Sequence, residues 1–173
     1  EFLNGLADAI NVTDGAGAKS HMSALATAAI LAQNGIEPIL QFTTRDRNRI
    51  AIQGDLLGGW ALDIPNILCL YGDEVKGGDQ PDTKEVRDLD TIGILRTAHV
   101  IKTKKMYPSG RKINDAPEFF IGGADTPFKI NNDFDGLNLL KKIEAGVEFF
   151  QTQYVFEEDI LKNYMIKLNE LHI

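Results

Sequence analysis

The chain has 173 residues, 43% hydrophobic and 25% charged, with a formal net charge of -7 and a pI near 4.9. This length suits one domain with a sizeable core, and the acidic balance lacks the basic stripe of a general nucleic-acid binder. Cys69 is the lone cysteine, which excludes a disulfide framework and a cysteine-built metal site. No apolar run approaches the roughly 20 residues of a membrane-spanning helix. The expectation is a cytoplasmic protein with neither nucleic-acid nor membrane partners.

In chain order, short apolar runs stop at polar clusters and are followed by helical stretches. Ala9–Val12 runs into Thr13-Asp14-Gly15, and a helix is expected from Ser20, its cap, to Asn34, with Met22, Leu25, Ala29 and Ala32 inward and Ile30 alongside. Ile39-Leu40 runs into Gln41 to Asp46, before a helix over 47–62 that presents Ile50, Leu57 and Ala61, with Ile52 and Leu56 beside them. Gly54, Gly58 and Gly59 on that helix suggest close packing. Ile67–Leu70 ends at Tyr71-Gly72-Asp73, and a long polar connection leads to a helix over 90–103 carrying Ile92, Leu95, Ala98 and His99 on one arc. The basic residues Lys102, Lys104, Lys105, Arg111 and Lys112 read as a solvated face, with anion binding as the alternative. Phe119–Ile121 runs into Gly122 to Asp125 before a helix over 135–145, and Phe149-Phe150 runs into Gln151-Thr152-Gln153 before a helix over 157–171. Strands alternating with helices predict parallel βα units, whose functional face lies at the carboxyl ends of the strands.

Those ends carry few reactive groups. Asp73, directly after Gly72, either projects a carboxylate into the mouth of the fold or caps a turn. Thr13, Gln41, Thr43 and Gln153 are uncharged hydrogen-bonding groups suited to a polar planar ligand. No histidine sits at a strand end, so a serine–histidine–aspartate relay has no base; His21 and His99 read as structural. Gly15-Ala16-Gly17-Ala18 is a weak signal for a loop passing close to a ligand. Asp135, Asn138 and Lys142 fall at i, i+3 and i+7, on one helix face. That face is either solvated or turned to a phosphate or ribityl chain. Cys69, inside Ile-Leu-Cys-Leu, reads as a small buried hydrophobe.

The ordered set resembles the methylenetetrahydrofolate reductase family. It comprises Asn11 to Asp14; Gly35 to Pro38 leading to Thr44 to Arg49; Asp55 to Gly58; Asn66 to Asp73; Gly78-Asp79; and Asp88 to Asp90. Phe120 to Gly122 with Pro127-Phe128, then Glu144 to Gly146 leading to Phe150 to Gln153, complete it. The resemblance spans almost the whole chain. It implies a (β/α)8 TIM barrel that holds FAD and reduces 5,10-methylenetetrahydrofolate with NAD(P)H, the hydride passing through the flavin as the two substrates use one site in turn. It also implies a homo-oligomer for the full-length protein.

Residue by residue, the resemblance makes Asp73 and Gln153 the catalytic pair. Asp73 lies beside flavin and pterin, and Gln153 meets folate and nicotinamide in turn. Thr13 matches a position near nicotinamide and flavin, so Asp73, Gln153 and Thr13 are the implied substrate contacts. Cofactor contacts are implied at Thr13, Asp14, Ala16, Gln41, Tyr71, Gly72, Asp73 and Asp88, and at Thr126, Asp135, Asn138 and Lys142. Two positions depart from the pattern: Gln41 stands where many members have histidine, and Tyr71 replaces an arginine or threonine. The family's general acid, a glutamate on the first barrel strand, has no counterpart in this reading, because the strand ending at Thr13 matches the family's second; Glu1 is not assigned to that role. The chain is therefore expected to be a partial barrel domain over 1–173, carrying family strands two to six, truncated at both ends. By itself it is expected to be inactive and poorly ordered, with two unpaired sheet edges. The alternatives are a flavin- or folate-binding fragment without reductase activity, and a pterin-dependent methyltransferase on the same barrel.

Overall fold

The computed structural model describes residues 6–131 and 133–173; Glu1 lies outside them. Five strands, β1 (Ile10–Val12), β2 (Pro38–Thr43), β3 (Asn66–Leu70), β4 (Phe120–Asp125) and β5 (Phe149–Thr152), form one sheet in chain order, every pair parallel. Each is followed by a helix: α1 (Ala24–Gln33), α2 (Arg49–Ala61), α3 (Thr91–Lys104), α4 (Leu137–Glu144) and α5 (Glu158–Glu170). This is the arrangement of a partial (β/α)8 barrel. Adjacent strands stand about 4.8 Å apart, so in a flat sheet β1 and β5 would be separated by roughly 19 Å. Residues of both nevertheless line one cavity, so the sheet is curled into a half-barrel.

Strand alternation sorts the side chains into two faces. Val12, Leu40, Phe42, Ile67, Cys69 and Ile121 point to the helices and are buried, against Ile52 and Leu56 of α2 and Ile94, Leu95, Ala98 and Ile101 of α3. Full burial of each such aliphatic side chain contributes about 1.5–3 kcal/mol. At the amino end of the strands the opposite, concave face carries the Phe120 and Phe149 rings, stacked with centroids 4.8 Å apart, beside the buried Asn66. A Cβ on Gly122 would overlap the Phe149 ring, so glycine is what lets that ring lie on the sheet. Toward the carboxyl end the same face carries Asn11, Gln41 and Gln151.

Strand positions follow the sequence pattern, although β2, β4 and β5 run on into their polar clusters. α1 departs most from expectation. It begins at Ala24, with Ser23 at the N-cap position but making no side-chain cap bond, after a tight turn over 15–18 with positive φ at Gly15, Gly17 and Ala18. Ser20 instead gives its N–H to the Asp79 carboxylate, and His21 precedes the helix rather than opening it. Met22 and Ile30 are exposed; the buried face is Ala24, Ala28 and Ala29. The helix is apolar nearly all round, so the small side chains, which permit close approach, decide the inward face. On α2 the buried set is Ile52, Leu56 and Gly59, spaced i, i+4, i+7, and Ile50 is exposed in the first turn. Of its three glycines, Gly59 lies closest to Leu40 and Gly58 to Leu25, while Gly54 faces open space. α3 buries Leu95 and Ala98 as expected, but its inward arc is completed by Ile94, Thr97 and Ile101, with Ile92 and His99 half-buried at its edge and His99 packed beside Gly146. Lys104, Lys105, Arg111 and Lys112 are exposed around a short hairpin, and Lys102 pairs with Glu148. No helix among the described residues is long and apolar enough to cross a membrane.

Burial pushes the Cys69 thiol up to about 12, against about 8.5 for an unfolded cysteine. Its contribution to stability is complete below the unfolded value and is lost as pH rises toward the folded one. A thiol reagent at pH 8 should therefore label Cys69 only at the rate of unfolding; rapid labelling of native protein would contradict the burial.

Candidate active site

The carboxyl ends of the strands form two cavities. The first, about 540 Å³, is lined by Asn11 of β1 and Thr13, Asp14 and Ala16 after it, Gln41 and Thr43 of β2, Leu70 at the end of β3 and Tyr71 to Asp73 after it, and Gln151 and Thr152 of β5 with Gln153 and Tyr154 after it. The second, about 630 Å³, lies between the ends of β3 and β4 and the start of α4. Its polar lining includes Thr126, Asp135, Asn138 and Lys142, with Tyr164 of α5 at its side. Leu70 and Tyr71 line both, so the cavities meet at the end of β3.

Asp14 is not available to a ligand as a free carboxylate. It accepts hydrogen bonds from the Thr43 N–H and hydroxyl, both at 2.9 Å, and from both terminal nitrogens of Arg47. Arg47 also donates to Asp55 of α2 at 2.8 Å. Burial would lower the Arg47 guanidinium, but the Asp14 and Asp55 carboxylates more than offset it and raise it overall. Arg45 is likewise committed, bidentate to Asp46 and donating to the Gly15 carbonyl. Asp73 differs. Its Oδ2 accepts the Gly17 N–H at 2.7 Å, and among the described residues it forms no salt bridge. It thus caps the 15–18 turn and also borders the cavity, combining both expected readings.

At the second cavity, Asp135 precedes the Gly136 N-cap of α4 and accepts the Leu137 N–H at 3.0 Å. Lys142 donates to the Ala124 carbonyl. Desolvation lowers its ammonium, opposed by Asp125. Asp125 in turn accepts the buried Tyr164 hydroxyl at 2.9 Å. Burial and then Asp125 raise that phenol well above its ordinary value.

The structure thus brings Thr13, Asp14, Ala16, Gln41, Tyr71, Gly72, Asp73 and Gln153 around one cavity, and Thr126, Asp135, Asn138 and Lys142 around the other. Asp88 lines neither; it is bidentate to Arg49, at 2.8 Å to Nε and to Nη2, and accepts the Arg49 N–H. Sequence reasoning gave no role to Arg47, Arg87, Asp125 or Tyr164. The only local signal was the alternation of charges in Arg45-Asp46-Arg47-Asn48-Arg49 directly after a strand.

Neutral amides and hydroxyls around a lone unpaired carboxylate, on the carboxyl rim of parallel strands, define the ligand-binding face of a barrel enzyme. The profile of the methylenetetrahydrofolate reductase family matches residues 3–173, and the chain belongs to that family. It is accordingly an oxidoreductase-family barrel directed at folate. A search of curated proteins gave no match.

Removing Arg47 leaves Asp14, whose side chain is 9% exposed, without its cation. Arg47→Met should cost about 3 kcal/mol in urea denaturation. Adding Asp14→Asn should recover most of that loss; a double variant no more stable than the single one would refute the pairing argument.

Proposed function

We propose that this rim reduces 5,10-methylenetetrahydrofolate to 5-methyltetrahydrofolate with NAD(P)H, using FAD. The observation that carries the reading is the junction of the two cavities at Tyr71, beside Asp73. An elongated ligand with a polar heterocycle at one end and phosphates at the other matches an amide-rich cavity with one unpaired carboxylate that shares its Leu70–Tyr71 wall with a second cavity holding a lysine and a helix start.

The residues fit FAD on the chemistry of their donors and acceptors. Thr13, Gln41 and Gln153 offer uncharged hydrogen bonds to a ring system, and Lys142 with Asn138 and the start of α4 suits a diphosphate. Asp135 and Thr126 would complete that end, and Ala16 and Gly72 leave room for close approach at the other. Bound there, FAD supplies a hydride acceptor and donor, so that NAD(P)H and the folate can use one site in turn.

The chain's own groups divide the remaining work. Asp73 places a negative charge at the cavity mouth, where it favours cationic character as the methylene bridge of the folate opens. Gln153 has both a donor and an acceptor, so it can orient the folate and then the nicotinamide amide. Asp14, held by Arg47 and Thr43, ties the segment after β1 to the end of β2 rather than meeting a ligand directly. Proton delivery to the leaving nitrogen is assigned to a glutamate outside this set of strands, and the full-length protein is proposed to be a homo-oligomer.

The full-length protein should purify yellow, bleach with NAD(P)H and recover on adding 5,10-methylenetetrahydrofolate. Asp73→Asn should retain flavin and slow the folate step by roughly 100-fold. A colourless protein that takes up no flavin would refute the proposal, whereas retained flavin that NAD(P)H cannot bleach would indicate a binding module. Lys142→Ala should weaken FAD binding roughly 10-fold, read by flavin fluorescence on dilution; unchanged affinity would remove Lys142 from the site.

A further inference from the structure

The connection from β3 to α3 leaves the strand at Tyr71 and returns to it at Arg87. The Arg87 Nη1 donates to the Tyr71 carbonyl at 2.8 Å, and its Nη2 to the Gly72 and Asp73 carbonyls at 3.3 Å each. One guanidinium therefore holds three consecutive main-chain acceptors at the strand end. Its plane also lies over the Tyr71 ring, with Cζ 3.9 Å from the centroid. Glu85 accepts from the Arg87 Nε and Nη2, and from the Val75 N–H at 2.9 Å. The Val86 N–H donates to the Arg45 carbonyl at 2.7 Å, tying the same segment to the end of β2.

Gly72 has φ of 86°, and a Cβ there would crowd Thr43. The peptide planes on either side of such a glycine turn easily, so the direction of Asp73 is not set by β3 alone. Arg87 itself has φ of 40°, a left-handed conformation unfavourable for a non-glycine residue that persists only where surrounding contacts over-determine it. We propose that Arg87 is the positioning residue for Asp73: by gripping the Tyr71–Gly72–Asp73 main chain, it fixes where the Asp73 carboxylate stands at the cavity mouth. This rests on the role given to Asp73 above.

The chemistry of the grip selects arginine. The planar fork reaches three carbonyls and a carboxylate at once and stacks on an aromatic face, which a lysine ammonium does not do. Arg87 bonds the Asp73 carbonyl and leaves the carboxylate to Gly17. Its charge is balanced by Glu85, so the clamp directs the site without neutralising it.

The test is a double-mutant cycle on the full-length protein with FAD bound, with each half-reaction followed by flavin absorbance. Arg87→Lys should slow reoxidation by 5,10-methylenetetrahydrofolate roughly 10- to 100-fold, the range for a small misplacement of a reacting group. Reduction by NAD(P)H should stay within about twofold, and FAD should be retained. Combined with Asp73→Asn, Arg87→Lys should add no further loss, because the group it positions is gone. Glu85→Gln should produce a smaller loss in the same step and decides the matter through the same cycle should Arg87→Lys not fold. A wild-type folate step in Arg87→Lys, losses that multiply with Asp73→Asn, or equal slowing of both half-reactions would overturn the positioning role alone. A wild-type folate step in Asp73→Asn would overturn the role of Asp73 and the positioning role together.

Discussion

Parallel pairing in chain order is the constraint on which the rest of the molecule depends. Once β1 to β5 lie side by side in one direction, each connection must cross back over the sheet as a helix. Every strand then ends on the same rim. The register aligns Val12 with Leu40, Leu40 with Ile67 and Ile67 with Ile121, so one row becomes continuous apolar surface for the helices. The intervening rows face the concave side, and it is there that Asn11, Gln41 and Gln151 stand without disturbing the core. The site is a consequence of the register, and a slip of one residue would exchange core and site on the displaced strand.

A rim built this way gathers charge, and the molecule manages it by pairing. Asp14 and Asp88 each face an arginine from a distant part of the chain, and Asp46 and Glu85 each face one that is adjacent or two residues away. The half-buried Asp14–Arg47–Asp55 set also joins the end of β1 to α2. Against that background the Asp73 carboxylate stands out by its partner, a main-chain N–H rather than a cation. A carboxylate so placed is held in position while its charge remains available to a ligand, which is the condition electrostatic stabilisation requires.

The sequence showed the strands clearly because each is a compact apolar run stopped by polar residues, and α3 because its apolar positions recur at helical spacing. α1 was readable as a helix but not in its orientation: Ala24-Leu25-Ala26-Thr27-Ala28-Ala29 carries no polar face to mark the outside, so alanine size decides what hydrophobicity leaves undecided. Gathering of the rim residues around cavities followed from strand ends alone. Their bonding did not. Asp14 meets Arg47 across 33 residues, and Tyr164 meets Asp125 across 39; neither pair has a local signature. Asp88 shows the same limit in reverse, since its arginine partner, 39 residues away, places it apart from both cavities.

The second cavity depends on this long-range bonding in a further way. Asp125 lies at the end of β4, and its carboxylate is turned to the Tyr164 hydroxyl, which fastens α5 against the strand. Phe128 and Phe134 pack on the same tyrosine ring, at 5.8 and 5.5 Å between centroids. Phe128, Phe134 and Tyr164 line the same cavity as Lys142, whose ammonium is lowered by desolvation, an effect opposed by Asp125. An anion entering beside Lys142 would replace the solvation that burial has removed, and would gain more from that contact than from a lysine on an open surface. α5 contributes to the cavity through Tyr164 while remaining outside the strand rim.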